Sequence, residues 1–100
     1  MATRNEIIRK FDAYRKSAGE GSSGWYVGIT NNGRRRLFAE HGVEEGNGFY
    51  TSERADSIEI AGEVEELYLD AGLRGGAGGG EENSTLVYIY QITSTTNENV

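Results

Sequence analysis

The sequence predicts a small α+β domain in which helices flank a mainly antiparallel sheet. Three observations carry that expectation: apolar residues at helical spacing near the N-terminus, a second such stretch in the middle, and two β-branched, aromatic runs at 25–30 and 85–93. Strands so far apart in sequence still pair when the helices between them cover a face of the sheet. One hundred residues leave room for a single domain, placed at 1–93, with the polar stretch 94–100 as a flexible tail.

The first helix is expected over 3–18. Thr3 and Glu6 have the spacing of a capping box, in which each side chain satisfies a backbone N–H of the first turn. Ile7, Phe11, Tyr14 and Ala18, with Ile8 alongside, form the apolar stripe, and Arg4, Arg9, Lys10, Arg15 and Lys16 lie off it on a solvated face. The stretch Gly19–Gly24 ends the helix. Trp25–Thr30 then reads as a strand, and its interior Gly28 weakens it unless something must approach the backbone closely. Asn31-Asn32-Gly33 is turn chemistry, and either Asn suits an N-cap.

Arg34 to His41 has helical character, with Leu37 and Phe38 as its apolar contacts, and 42–50 is a loop with room for one short strand near Phe49. A second long helix starts near Ser52 or Asp56. Ile58, Ala61, Val64, Tyr68 and Ala71, with Leu67, supply its buried face, and Gly72 suits the left-handed position after its last turn. Gly62 inside it costs about 1 kcal/mol against alanine and marks close packing. The glycine-rich stretch 74–83 lacks the Gly-Lys-Ser/Thr ending of a phosphate-cradling loop, so it reads as a flexible connection, with a backbone-amide contact to an anion as the other reading. Thr85–Thr93 is the strongest strand signal in the chain.

Cysteine is absent, which excludes disulfides, thiolate zinc sites and a cysteine nucleophile. No apolar run approaches the roughly 20 residues of a membrane span, and no signal-peptide pattern opens the chain, so a soluble, cytoplasmic domain is expected. The net charge of −6 argues against coating nucleic acid by bulk attraction. Its distribution is uneven: residues 1–39 carry a net of +5 and residues 40–82 a net of −10. Any contact with a polyanion is therefore local.

The chemistry concentrates between Tyr26 and His41. A strand tyrosine, a glycine that admits close approach, the cluster Arg34-Arg35-Arg36 and a following histidine form one coherent set. Guanidinium groups hold phosphate bidentately, and a phenol or imidazole moves a proton. Singly, each has a plainer reading: a solvated arginine face, a histidine capping a helix end, and Tyr26 and Tyr90 as cross-strand packing partners.

Together, Tyr26-Val27-Gly28-Ile29-Thr30, Arg34-Arg35-Arg36-Leu37 and Glu40-His41 resemble the second half of the GIY-YIG nuclease signature, in which an arginine follows the strand tyrosine by ten residues, here Arg36. Ala61, Val64-Glu65 and Leu69 are similar to the helix carrying that family's single metal-binding glutamate. That residue maps to Glu65, with Glu63 and Glu66 as competing choices. The expected first half of the signature is missing upstream, where a helix end and a Gly-Ser stretch stand instead. Ile89-Tyr90-Gln91-Ile92-Thr93 resembles its opening, so the resemblance implies a circularly permuted member whose last strand lies beside Trp25–Ile29.

Two positions depart from the pattern. His41 follows Arg36 by five residues where the family has four, which on an α-helix turns the ring by about 100°. Tyr88 replaces the glycine of the first half, and crowding near the site is expected from it.

The resemblance implies a DNA endonuclease, a hydrolase of phosphodiesters. Glu65 would hold Mg²⁺ or Mn²⁺, Arg36 would steady the scissile phosphate, and Tyr26, aided by Tyr90 or His41, would help deprotonate the attacking water. Its partner would be DNA, bound locally at the arginine cluster. The rival expectation is a catalytically inactive binding or inhibitor protein that meets a protein partner of the nucleic-acid machinery through Glu40, Glu44, Glu45, Glu63 and Glu66.

Overall fold

The computed structural model describes residues 3–18, 24–31, 37–38, 41–43, 50–75, 85–92 and 96. Helix α1, Arg4–Ala18, starts at the capping box: the Thr3 N–H donates to Glu6 Oε1 at 2.9 Å and the Glu6 N–H to Thr3 Oγ1 at 3.3 Å. The Thr3 backbone bond, and then its side-chain bond, hold the Glu6 carboxyl below the usual carboxylate range. Ile7 and Phe11 are fully enclosed on the inner stripe, with Ile8 and Tyr14 packed partly against it.

Three strands follow: β1, Trp25–Thr30; β2, Tyr50–Arg54; and β3, Leu86–Gln91. Their order is β1-β3-β2, antiparallel throughout, so the last strand in sequence is the central one. Its β-branched and aromatic content suits a position paired on both edges. The expected juxtaposition of the first and last strands is present, with Tyr26 directly opposite Tyr90 and Gly28 opposite Tyr88.

Strand β2 corrects the sequence reading at one point. Ser52 belongs to this strand and does not start a helix. The stretch Tyr-Thr-Ser-Glu-Arg lacks alternating apolar residues because it is an edge strand, none of whose residues is fully buried. Helix α2 begins later, at Ile58, behind Ser57, whose Oγ accepts the Ile60 N–H at 3.2 Å.

Helix α2 runs Ile58–Asp70 and buries Ala61, Val64, Glu65 and Tyr68. Leu67 and Ala71 are exposed, and so is Ile58, contrary to expectation: Leu67 falls off the buried stripe, and Ile58 stands in the first turn ahead of it. Gly62 does not mark close packing either, because the space where its Cβ would stand is open. The C-terminus is a Schellman closure at Gly72 (φ 106°), with the Leu73 N–H on Tyr68 O at 3.0 Å and the Gly72 N–H on Leu69 O at 3.1 Å.

From there the chain runs parallel to the outer edge of β1. The Arg74 N–H donates to Trp25 O and the Val27 N–H to Arg74 O, both at 2.9 Å. The remainder of the glycine-rich connection, 76–84, lies outside the described residues, as do Asn32 and Gly33 of the predicted turn and most of the 94–100 tail.

Strand alternation divides the interior in two. Trp25 and Val27 of β1 and Val87 and Ile89 of β3 face α1 and α2, and join Ile7, Phe11, Ala61, Val64 and Tyr68 in one core. Tyr26, Tyr88 and Tyr90 point the other way and pack with Leu37 and Val43. Side chains of α1 also seal the free edge of β2: the Tyr50 N–H donates to Tyr14 Oη, and Lys10 Nζ donates to Ser52 O and Glu53 Oε1, each at 2.9 Å. Among the described residues, no helix is long and apolar enough to cross a membrane.

Candidate active site

The antiparallel register sets Tyr26, Tyr90 and Tyr50 in one row across the three strands. Tyr26 and Tyr90 stack with ring centroids 5.1 Å apart and planes 22° from parallel, and Tyr88 lies nearly parallel to Tyr90 at 6.5 Å. Gly28 makes this possible. A Cβ built there would meet the Tyr88 phenol, with Cζ only 2.5 Å away, so the ring lies across the bare backbone of the neighbouring strand. The close approach that an interior strand glycine signals is therefore made by a side chain of the protein itself.

His41 enters from the segment after β1. Leu37 and Phe38 adopt a wide helical turn of the i→i+5 kind, Gly42 takes a left-handed conformation (φ 73°), and the Val43 N–H returns to Leu37 O at 2.9 Å. His41 is fully buried. Its Nε2 is 2.9 Å from Tyr88 Oη, its Nδ1 is 3.1 Å from Tyr90 Oη, and its ring lies 4.7 Å from that of Tyr26.

A neutral imidazole has one N–H and one lone pair, so between two phenols it donates to one and accepts from the other. His41 thus links the two phenols, with Nε2 facing Tyr88 Oη and Nδ1 facing Tyr90 Oη. Tyr26, 5% exposed, stacks against these rings, and its hydroxyl makes no hydrogen bond among the described residues.

Glu65 stands apart from this group. It sits on α2, which packs on the opposite face of the sheet, and one turn further on the same row Leu69 meets the position of Gly75 beside Val27 O. That row therefore follows the outer margin of β1. Glu65 is 8% exposed, its Oε2 is buried without a hydrogen-bond partner, and burial pushes its carboxyl above the usual range. Glu63 and Glu66 point to solvent, which separates Glu65 from its two competitors. Among the described residues, no three His, Asp or Glu side chains converge as a metal cluster.

Of the residues singled out in the sequence, the structure brings Tyr26, His41 and Tyr90 into direct contact, while Glu65 belongs to α2, whose Ala61, Val64 and Tyr68 pack against the opposite face of the sheet. Arg36, with Arg34, Arg35 and Glu40, lies outside the described residues. The residue missed is Tyr88, expected only to crowd the site and found bonded to His41. A signal for it existed: pairing Tyr26 with Tyr90 in antiparallel register sets Gly28 opposite Tyr88, a bare position facing a large ring. No protein-family model, curated protein or solved structure matches the chain.

Proposed function

We propose that this chain is a metal-dependent endonuclease domain of the GIY-YIG kind that hydrolyses DNA phosphodiesters. The observation that carries the reading is the contact of three sequence-distant residues, Tyr26, His41 and Tyr90, on one sheet face. Tyr26 and His41 come from the stretch that resembles the second half of the nuclease signature, and Tyr90 from the stretch that resembles the opening of the first.

Tyr26 is the phenol whose hydroxyl is not bonded to the histidine, and it meets the attacking water. Behind it, His41 and Tyr90 fix the ring by stacking and offer a route for the proton. Arg36 holds the scissile phosphate through its planar fork.

Glu65, which stands on α2 apart from the tyrosine–histidine group, fits a divalent cation on chemistry, and the reading requires the bound phosphate to reach across the margin of β1 between them. A buried carboxylate oxygen without a donor lacks the partner that its charge needs, and a hard cation supplies one. Mg²⁺ takes one or two protein carboxylates and completes its shell with water and phosphate oxygens, so a lone glutamate suffices. When bound, the ion would offset charge on the phosphate oxygens.

Incubation of the protein with duplex and branched DNA in Mg²⁺ or Mn²⁺ tests this. The wild type cuts, and Glu65→Gln and Arg36→Ala lose about 100-fold or more in rate while far-UV circular dichroism is unchanged. No cutting by the wild type at high protein concentration removes the nuclease reading.

A second reading, an inactive member that binds a protein of the nucleic-acid machinery, draws on the solvent-facing Glu63 and Glu66 of α2. Glu40, Glu44 and Glu45, assigned to the same surface, lie outside the described residues. It predicts a salt-sensitive complex with a DNA-binding protein that charge reversal at Glu63 and Glu66 weakens, together with no DNA cleavage.

A further inference from the structure

The helical side of the sheet, opposite the tyrosine face, carries charge of both signs in separate strips. Helix α2 has no basic residue, and its exposed acids Glu59, Glu63, Glu66 and Asp70 recur at three- and four-residue spacing, so they fall on one outward stripe. Like charges at this spacing repel one another, and Asp70 adds its charge to the negative end of the helix dipole. Alongside, α1 exposes Arg4, Arg9 and Lys16, the last two separated by two turns and so on one face. The acids of α1 are already engaged, Glu6 in the capping box and Asp12 with Tyr68 and Arg15. The described ion pairs, Lys10–Glu53 and Arg15–Asp12, take in none of the acids of the α2 stripe and none of Arg4, Arg9 and Lys16. The seam between the helices is fixed, because Tyr68 Oη donates to Asp12 Oδ1 at 2.7 Å and the Phe11 and Tyr68 rings lie 6.0 Å apart.

We propose that this surface binds a second copy of the chain, forming a weak two-fold dimer in which α1 of each copy lies over α2 of the other. A two-fold axis along the seam exchanges the strips, so the basic strip of each copy meets the acidic stripe of its partner. A polyanion fits less well. Laid on α1, it would stand about 10 Å from the carboxylates of α2, a distance close to the Debye length of physiological salt, and their repulsion reaches it. A partner must offer both signs at the spacing of two packed helices, and a second copy offers them.

The size of the contact sets its strength. Helix α1 spans about 22 Å and two packed helices about 20 Å across, a footprint on the order of 400 Å² per copy, at the small end of interfaces. Exposed ion pairs add little each, so the dimer rests on their number and on low salt. Leu67, exposed on α2, and Ala13, exposed between Arg9 and Lys16, supply apolar contact.

Analytical ultracentrifugation of the purified full chain tests this without DNA, metal or another protein, so the outcome is independent of the nuclease reading. At about 20 mM salt and roughly 100 μM protein, the wild type sediments as a monomer–dimer equilibrium, about 10-fold tighter than at about 0.5 M salt. A wild type that stays monomeric at low salt, or that forms species larger than a dimer, overturns the proposal, and this measurement needs no variant to fold. Two charge-reversed variants locate the interface: Arg4→Glu/Arg9→Glu/Lys16→Glu, and Glu63→Lys/Glu66→Lys/Asp70→Lys. All six positions are exposed, and far-UV circular dichroism checks that each variant keeps the fold. Each variant alone is monomeric, because both of its strips then carry the same sign. Mixed in equal amounts they form a heterodimer, since one is acidic on both strips and the other basic on both. An undiminished homodimer of either variant, or no heterodimer from the folded pair, overturns the proposal.

Discussion

The two faces of the sheet are built from the same strands and do different work. On one, Trp25, Val27, Val87 and Ile89 meet Phe11 of α1 and Val64 of α2 in a core where apolar contact dominates. On the other, one residue out of step, Tyr26, Tyr88 and Tyr90 surround a buried histidine. The helical face is held by burial, which is non-directional and tolerates small shifts. The tyrosine face is held by ring stacking and by hydrogen bonds, those of His41 to Tyr88 and Tyr90 among them, which fail when a group moves by an ångström. A domain of this size thus keeps its stability and its specific geometry on opposite sides of one layer.

Substitutions break the two faces in different ways. The largest effect belongs to the helical side: Phe11→Ala removes a fully enclosed ring and is expected to cost about 3–5 kcal/mol. That is a large share of the roughly 5–15 kcal/mol available to a domain, so urea unfolding moves to a much lower midpoint, with both faces lost together.

Gly28→Ala acts on the other side. Its methyl overlaps the Tyr88 ring, and the expected loss is about 1–3 kcal/mol. Near-ultraviolet circular dichroism from the tyrosines changes while the far-ultraviolet helix signal persists. If both signals fall together, the two faces are not separable.

The smallest effect is at Glu65, and its sign depends on pH. Burial raises this carboxyl, so the folded state holds the proton more tightly than the unfolded chain. The associated stability is complete below the ordinary value of 4.5 and declines as pH rises through the folded value. Glutamine does not ionise. In EDTA, Glu65→Gln therefore melts a few degrees above the wild type at pH 8, and this advantage vanishes at pH 4. Thermal scans at the two pH values give the comparison, and a difference independent of pH would contradict the assignment of an unpaired buried carboxylate.

Much of this architecture was legible in the residues. Thr3 and Glu6 marked the start of α1 because a capping box is a local device, complete within four residues. The β3 segment declared itself through Val87 to Ile92, and the likeness of Ile89–Thr93 to half of a known signature placed it beside β1.

What escaped depended on tertiary context. The short strand expected near Phe49 is present as β2, Tyr50–Arg54, but its extent through Ser52 escaped, since its outer edge is satisfied by Tyr14 and Lys10 from a helix some 40 residues earlier. The burial of His41 between Tyr88 and Tyr90 depends on contacts with a strand nearly 50 residues later, which leave no mark in composition. Ile58 and Leu67 were expected to be buried because helical spacing gives a stripe but not where the partner surface stops. At the candidate site, Tyr26, His41 and Tyr90 were recoverable, whereas the bond between Tyr88 and His41 needed the register.

One consequence follows from how the sheet's borders are finished. Along β1, the Arg74 backbone takes up Trp25 O and the Val27 N–H, and along β2 the α1 side chains take up the Tyr50 N–H and Ser52 O. Both margins of this narrow sheet are thereby occupied at the groups through which a foreign strand would first zip on. Self-association by strand addition is disfavoured at these described groups.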